Sequence, residues 1–284
     1  MQLDLNKNYI IQGDNLEWLN WIPDNSIDLC YIDPPFFTNK DYGEFKDKFK
    51  DIKEYIDWMR SRIELIHKKL KQTGSIFLHC DWHASHRLRC LLDYVFGAKN
   101  FVNEIVWSFR TGGNTIKYMS RKHQNIFWYS KTKGSHRYNL KKEKNYIADT
   151  MAEPETNTGR RLGINRDHNC EFCGNDPGGK YKIVNLRDVW EIEFSTVAVE
   201  RIGYPTQKPE ALIKRIVECA SNPGDVILDC FSGGGTTAKV CADLNRKFIV
   251  GDVSSKAIEI TNKRLDEKCS NVTYEIKGLP YTDE

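Results

Sequence analysis

The chain has 284 residues, 40% hydrophobic and 29% charged, a balance that suits one large domain or a domain carrying a substantial insertion. No run approaches the roughly 18 to 20 apolar residues of a membrane span. The opening MQLDLNKNYI lacks the basic-then-apolar order of a signal peptide, so a cytoplasmic protein with no membrane partner is expected. The net charge of +3 identifies no polyanion binder by itself, but between Ser108 and Thr150 ten Lys or Arg stand against two acids, Glu143 and Asp149. That local excess suits nucleic acid, and a solvated basic face has the same composition.

Short apolar runs predict strands at Tyr9 to Gln12, Ile27 to Ile32, Ile76 to Leu78, Val102 to Trp107, Ile126 to Tyr129, Val226 to Leu228 and Phe248 to Val250. Between the second and third, Ile52, Tyr55, Ile56, Met59, Ile63, Ile66 and Leu70 recur at steps of three and four, which is one apolar face of a helix. Leu88, Leu91, Leu92 and Val95 repeat the pattern before a stop at Gly97. Residues 130–190 break the rhythm with polar, Gly-rich and Asn-rich sequence and read as an insertion. The rhythm returns after Lys208 with a helix near 209–220, an NPGD turn, a strand, a Gly-rich loop and another helix. Alternating strands and helices predict an α/β fold with a mostly parallel sheet covered on both faces. Cys30, Cys80, Cys219, Cys230 and Cys241, five of the nine cysteines, lie in apolar surroundings and are read as buried free thiols.

Two stretches carry chemistry. In CYIDPPFFTNKDYG, Asp33 ends the buried run from Ile27 to Ile32, where open α/β sheets place ligands. Pro34 and Pro35 remove backbone donors and fix an extended exit, leaving carbonyls before and within the turn to accept hydrogen bonds. The amino group of a heteroaromatic ring is a poor nucleophile because its lone pair is delocalised. The Asp33 carboxylate and the Pro34 carbonyl can hold its two N–H bonds and aim the lone pair at a methyl donor, while Phe36 stacks on the base. A strand-ending turn with a core phenylalanine is the alternative, and Phe37 is expected simply to pack.

The second stretch, GDVILDCFSGGGTTAKVCADLNRKFIVGDVSS, runs from strand to glycine loop to helix to strand, with Asp229 before the loop and Asp252 after the second strand. Such a unit binds a nucleoside-containing ligand, the acid meeting ribose hydroxyls, or it is a tight structural turn. No glycine stands at the third position of G-x-G-x-x-G, which disfavours a dinucleotide.

Together, DPPF, DCFSGGGTT and YPTQKP resemble the DNA amino-methyltransferases, which modify exocyclic nitrogens of adenine or cytosine with S-adenosylmethionine. The resemblance covers nearly the whole chain except about residues 131–185. The catalytic motif precedes the cofactor loop, as in the β-group that includes the Mod subunits of type III restriction systems. The resemblance implies a Rossmann-like fold with a mostly parallel seven-stranded sheet and permuted motifs. Residues 1–107 would form the catalytic half, 108–190 a target-recognition insertion with a core strand near 124–129, and 191–284 the cofactor half.

It implies a catalytic set of Asp33, Pro34, Pro35 and Phe36. The implied cofactor residues are Asp14, Asp33, Lys208, Asp229, Phe231, Gly233, Gly235, Thr236 and Asp252, with Asp14 on the cofactor's adenine and Lys208 near its amino acid end. Asp252 stands where the family usually has Glu, and Cys230 and Gly234 depart from the commoner D-P-F-x-G-S-G. Lys40, Arg110, Lys117, Arg121, Lys122, Lys131 and Lys133 would contact DNA, with Asn114 and Arg160 or Arg161 reaching base edges. The target must leave the duplex to reach Asp33, and TNKDYG with Tyr42 is a candidate cover for it. Duplex DNA is the implied partner, and analogy adds a cognate restriction endonuclease and a homodimer.

His168, Cys170 and Cys173 in HNCEFCGND resemble half of a zinc site, but no second ligand pair lies nearby, so no metal is expected. Asp rather than Ser before the two prolines favours adenine N6 over cytosine N4. Methylation of RNA or protein amides by N-P-P-Y relatives is disfavoured by the Asp and the basic insertion. A dinucleotide oxidoreductase leaves Asp33 unexplained, and a non-catalytic DNA-binding module needs neither motif.

Overall fold

The computed structural model of the chain describes residues 1–41, 47–110, 115–146, 173–176, 179–193, 200 and 202–278. Two compact units emerge, one of residues 1–139 with 188–284, the other of residues 140–187.

The larger unit is built on β1 (Asn8–Gln12), β2 (Ile27–Ile32), β3 (Leu70–Cys80), β4 (Phe101–Ser108), β5 (His123–Ser130), β9 (Val189–Glu191), β10 (Val226–Asp229), β11 (Lys247–Asp252) and β12 (Tyr274–Gly278). They form one sheet in the order β12-β1-β11-β10-β2-β3-β5-β4-β9. Neighbours from β12 to β3 are parallel, β5 runs antiparallel to β3 and β4, and β9 is parallel to β4. The described sheet thus has nine strands where seven were expected. The two unforeseen edge strands, YEIKG and VWE, are too short and too polar to show as apolar runs.

Six helices accompany the sheet among the described residues: α1 (Asn15–Trp18), α2 (Ile52–Lys69), α3 (Ser85–Leu92), α4 (Glu210–Ala220), α5 (Thr236–Asp243) and α6 (Ser255–Lys268). The long α2 follows its apolar spacing, burying Tyr55, Met59, Ile63 and Ile66. Asp51 caps its start by accepting from the Glu54 N–H, and basic residues fill its last turn, where the helix dipole favours them. Side chains on the strands alternate between two buried faces. Tyr9, Ile11, Cys30, Ile32, Ile76, Leu78, Leu228 and Ile249 share a core with Trp18, Met59, Ile63 and Leu88. The intervening Ile10, Leu29, Tyr31, Phe77, Ile227, Phe248 and Val250 are buried as well. None of the described helices is long and apolar enough to cross a membrane.

The smaller unit holds β6 (Lys142–Tyr146), β7 (Cys173–Asp176) and β8 (Gly179–Asn185), an antiparallel sheet in the order β6-β8-β7. Arg187 closes it with an ion pair to Glu143 at 2.8 Å. The separate unit is narrower than the 108–190 segment of the sequence reading, because residues 108–139 belong to the larger unit, with β5 inside the main sheet. His168, Cys170, Asn114, Arg160, Arg161 and Tyr42 lie outside the described residues, and Cys173 starts β7. Among the described residues no group of His, Cys, Asp and Glu is placed to hold a metal ion.

Parallel β1 and β11 leave no room for a side chain at Gly251, where a Cβ would lie 2.6 Å from the Trp18 ring and 2.8 Å from the Ile11 carbonyl. Gly251→Ala should lower stability by about 1–3 kcal/mol, read as a lower denaturant midpoint at unchanged slope.

Candidate active site

Parallel pairing brings the carboxyl ends of β1, β11, β10 and β2 to one edge of the sheet, and with them Gln12, Asp252, Asp229 and Asp33. They line a cavity of about 820 Å³ together with Pro35, Phe49, Trp58, Tyr204, Lys208, Phe231, Ser232, Gly233, Gly234 and Thr236. That volume lies within the usual range of small-molecule sites.

Asp33 Oδ2 accepts from the Lys208 ammonium at 2.6 Å, an ion pair with both side chains mostly buried. Its other oxygen, Oδ1, has no hydrogen-bond partner among the described residues and lies 3.6 Å from His79 Nδ1. Burial pushes the Asp33 carboxyl up, and Lys208 opposes that shift by favouring the charged form. His79 is fully buried, and burial together with Lys208 holds its imidazole well below the usual histidine range. Neutral His79 shares a 3.0 Å hydrogen bond at Nδ1 with the Tyr31 hydroxyl, whose phenol burial keeps protonated.

Beyond Asp33 the motif is held on both sides. The Tyr55 hydroxyl donates to the Pro35 carbonyl at 2.7 Å, so one of the carbonyls expected to await a ligand is already engaged. Buried Asp47 accepts from the N–H groups of Phe36, Phe37 and Thr38. The Phe36 ring sits 5.7 Å from the His79 ring and 5.2 Å from Lys208 Nζ. Phe37 packs on Phe49 and Tyr55, the structural role expected of it.

The glycine loop is shaped by its acids. Asp229 accepts from the Thr237 hydroxyl at 2.5 Å and the Phe231 N–H at 3.0 Å, and Asp252 accepts from the N–H groups of Gly233 and Ser254. Gly233 and Gly235 have φ of +48° and +72°. A Cβ on Gly233 would lie 2.8 Å from the Tyr204 ring, and one on Gly235 2.6 Å from Thr261. Gly235 is thus packed against α6, outside the cavity lining, whereas Gly233 borders it. Thr236 donates to the Lys208 carbonyl at 3.2 Å and accepts from buried Arg264 at 3.0 Å, tying this loop to the segment before α4. Asp14 stands outside the lining as well: it caps α1, and both its oxygens meet Arg62 at 2.9 Å.

Of the residues expected at DNA, Arg110, Lys117, Arg121 and Lys122 follow β4 or precede β5 at the Asp33 edge of the sheet. Arg110 is exposed beside Glu191 and Glu193, Lys117 is exposed, and Arg121 covers the Trp82 ring at 3.7 Å. The Lys122 ammonium reaches the Arg110 carbonyl, and Lys40 is exposed beyond the motif. Lys131 lies apart from these: antiparallel β5 carries it to the opposite edge, where its ammonium binds the Leu70 carbonyl at 2.7 Å and Asn25 at 2.9 Å. Lys133 follows it there. As site residues, Tyr55, His79, Tyr31 and Arg264 escaped the sequence reading because their partners are distant in the chain, and Asp47 because its partners are backbone N–H groups.

A family profile described as DNA methylase matches residues 27–263. The chain belongs to the N6/N4 DNA methylase family. It is a DNA amino-methyltransferase, of the class that acts on adenine N6 or cytosine N4. The methylase is 33% identical over 263 residues to the type II methyltransferase M.BglII of Bacillus subtilis, a match covering 89% of this chain and 67% of that one. It is 31% identical over 262 residues to the DNA adenine methyltransferase YhdJ of Escherichia coli K12, covering 90% and 82%. Its fold resembles the M1.HpyAVI–SAM complex, with a TM-score of 0.60 at 19% identity over 91% of this chain and 98% of that one. The cytosine-N4-specific PvuII DNA methyltransferase gives a TM-score of 0.62 at 18% identity, covering 97% and 96%.

Burial pushes the Asp229 carboxyl up to about 7, above its ordinary value of 3.8. The folded methylase therefore holds this proton more tightly than the unfolded chain, and stability gained below the ordinary value is lost as pH rises through about 7. Asp229→Asn should flatten that loss, so its melting temperature gains on wild type between about pH 5 and about pH 8. An unchanged difference across that range would contradict the shift.

Proposed function

We propose that this methylase transfers the methyl group of S-adenosylmethionine to the N6 of an adenine flipped out of duplex DNA. The observation that carries the reading is Asp33 Oδ1, a buried acceptor without a partner among the described residues, on a cavity shared with the glycine loop.

The residues fit the cofactor. Gly233 and Gly234 leave bare backbone along the cavity, and Ser232 Oγ, also on the lining, is buried without a partner among the described residues. Gly233, Gly234, Ser232, Phe231 and Asp252 would hold it, with Lys208 and Thr236 beside them; its contribution when bound is an electrophilic methyl on a sulfonium. Asp33 would accept one N–H of the target amine and the Pro34 carbonyl the other, restoring the nitrogen lone pair as a nucleophile. The Asp33 carboxylate would take the proton that the amine sheds on acquiring the methyl group. Phe36 would stack on the base, worth about 1–3 kcal/mol.

Adenine is favoured by Asp rather than Ser before the prolines, and the relative YhdJ carries adenine in its name. The likeness to the cytosine-N4-specific PvuII enzyme supplies the second reading. Residues 1–107 and 191–284 would act as the catalytic and cofactor halves, with 108–190 reading the sequence. Arg110, Lys117, Arg121 and Lys122 would meet phosphates.

Expression in a methylation-free host, followed by mass spectrometry of the DNA nucleosides, tests this directly. N6-methyladenine is expected with wild type and none with Asp33→Ala. N4-methylcytosine would overturn the choice of adenine, and unmodified DNA would overturn this reading of the substrate.

A further inference from the structure

Among the described residues between the Asp-Pro-Pro turn and α2 there is no helix or strand, yet the start of this stretch is fixed. Asp47, 1% exposed, sits against it with a carboxylate that cannot be buried cheaply without donors. Its Oδ2 accepts from the Phe36 N–H at 3.2 Å, the Thr38 N–H at 2.8 Å and the Thr38 hydroxyl at 2.7 Å, and its Oδ1 accepts from the Phe37 N–H at 3.0 Å. Three successive N–H groups converge because Phe37 turns into the left-handed region, with φ of +62°. That conformation costs an aromatic residue about 1–2 kcal/mol and forms the concave nest that elsewhere binds anions. Here the chain fills the nest with its own carboxylate.

Asp47 closes the segment as well, since its N–H donates to the Lys40 carbonyl at 3.0 Å. The opposite side of the motif is tied through the Tyr55 hydroxyl to Pro35, and Phe49 is seated separately, 5.0 Å from the Tyr55 ring and 5.4 Å from the Trp58 ring. Removing the Asp47 carboxylate would thus take the shared acceptor from the N–H groups of Phe36 to Thr38 while leaving the Phe49, Tyr55 and Trp58 rings in place.

We propose that Asp47 is a positioning residue for capture of the target base, its carboxylate setting the Phe36 ring in place before any base arrives. The inference rests on the reading of Phe36 as the stacking face. Ordering the loop in advance removes that cost from the binding step, so the effect falls on the base and spares the cofactor.

The test uses the full chain and a duplex oligonucleotide carrying the methylated sequence found in the expression host, with adenine at the target for kcat and 2-aminopurine, which lacks the N6 amine, in its place for flipping. The fluorescence of 2-aminopurine rises when the base leaves the stack. Asp47→Ala should lower the flipped fraction and kcat by about tenfold or more, as expected when buried donors lose their acceptor. The S-adenosylmethionine Kd should stay within about twofold, because the residues lining the cavity are untouched. Asp47→Asn keeps one acceptor oxygen and should recover part of the loss. It also carries the comparison if circular dichroism shows that the alanine variant has unfolded.

The double variant with Phe36→Ala should fall no further than Phe36→Ala alone, the mark of two residues acting through one contact. Wild-type flipping by the Asp47 variants, or losses that simply add, would overturn the inference. Phe36→Ala with full base capture would overturn the stacking reading and this inference together. Loss at Phe36 with none at Asp47 would overturn this inference alone.

Discussion

The ion pair between Asp33 and Lys208 is the constraint on which the reactive edge depends. It joins residues 175 positions apart and lies mostly out of water, where an unpaired carboxylate would protonate. Lys208 counters that tendency at Oδ2 and leaves Oδ1 to other donors. The same ammonium helps keep His79 neutral, so the wall behind Asp33 adds no charge of its own. One cation thus acts, after burial, on the ionisation of two buried groups.

Sheet order explains why the pair can form at all. Strand β10, which leads into the glycine loop, lies beside β2, which ends at the Asp-Pro-Pro motif, although about 200 residues separate them in the chain. Adjacent parallel strands must end at the same edge, so the two motifs meet whichever comes first in sequence. The Lys208 segment is then fixed from below by Thr236, Arg264 and Glu210, the last two paired at 2.6 Å. A permuted order therefore carries no structural penalty at the site.

What the sequence made legible was whatever chemistry is contiguous. Asp33, Pro34, Pro35 and Phe36 were read from one strand end, and Phe231, Gly233 and Thr236 from one loop, because local spacing fixes which side chains share an edge, whereas Gly235 in that loop packs on Thr261 and Ser232 went unread. Asp47 stayed hidden since its partners are backbone N–H groups, which leave no mark on sequence. That Lys131 would stand apart from Arg121 and Lys122 was not legible, because a basic excess has no direction: antiparallel β5 sends its two ends to opposite edges of the sheet. Strands β9 and β12 lacked an apolar run, being short and at the edges, where one polar side is tolerated.

The central claim is a division of labour at one cavity, with the glycine loop holding the methyl donor and Asp33 holding the acceptor. Calorimetric titration of S-adenosylmethionine into wild type, Gly233→Val and Asp33→Ala addresses it directly. The expected result is loss of binding in Gly233→Val, where a side chain would collide with Tyr204, and near-normal affinity in Asp33→Ala. Tight binding by Gly233→Val, or its loss on removing the Asp33 carboxylate alone, would contradict that division.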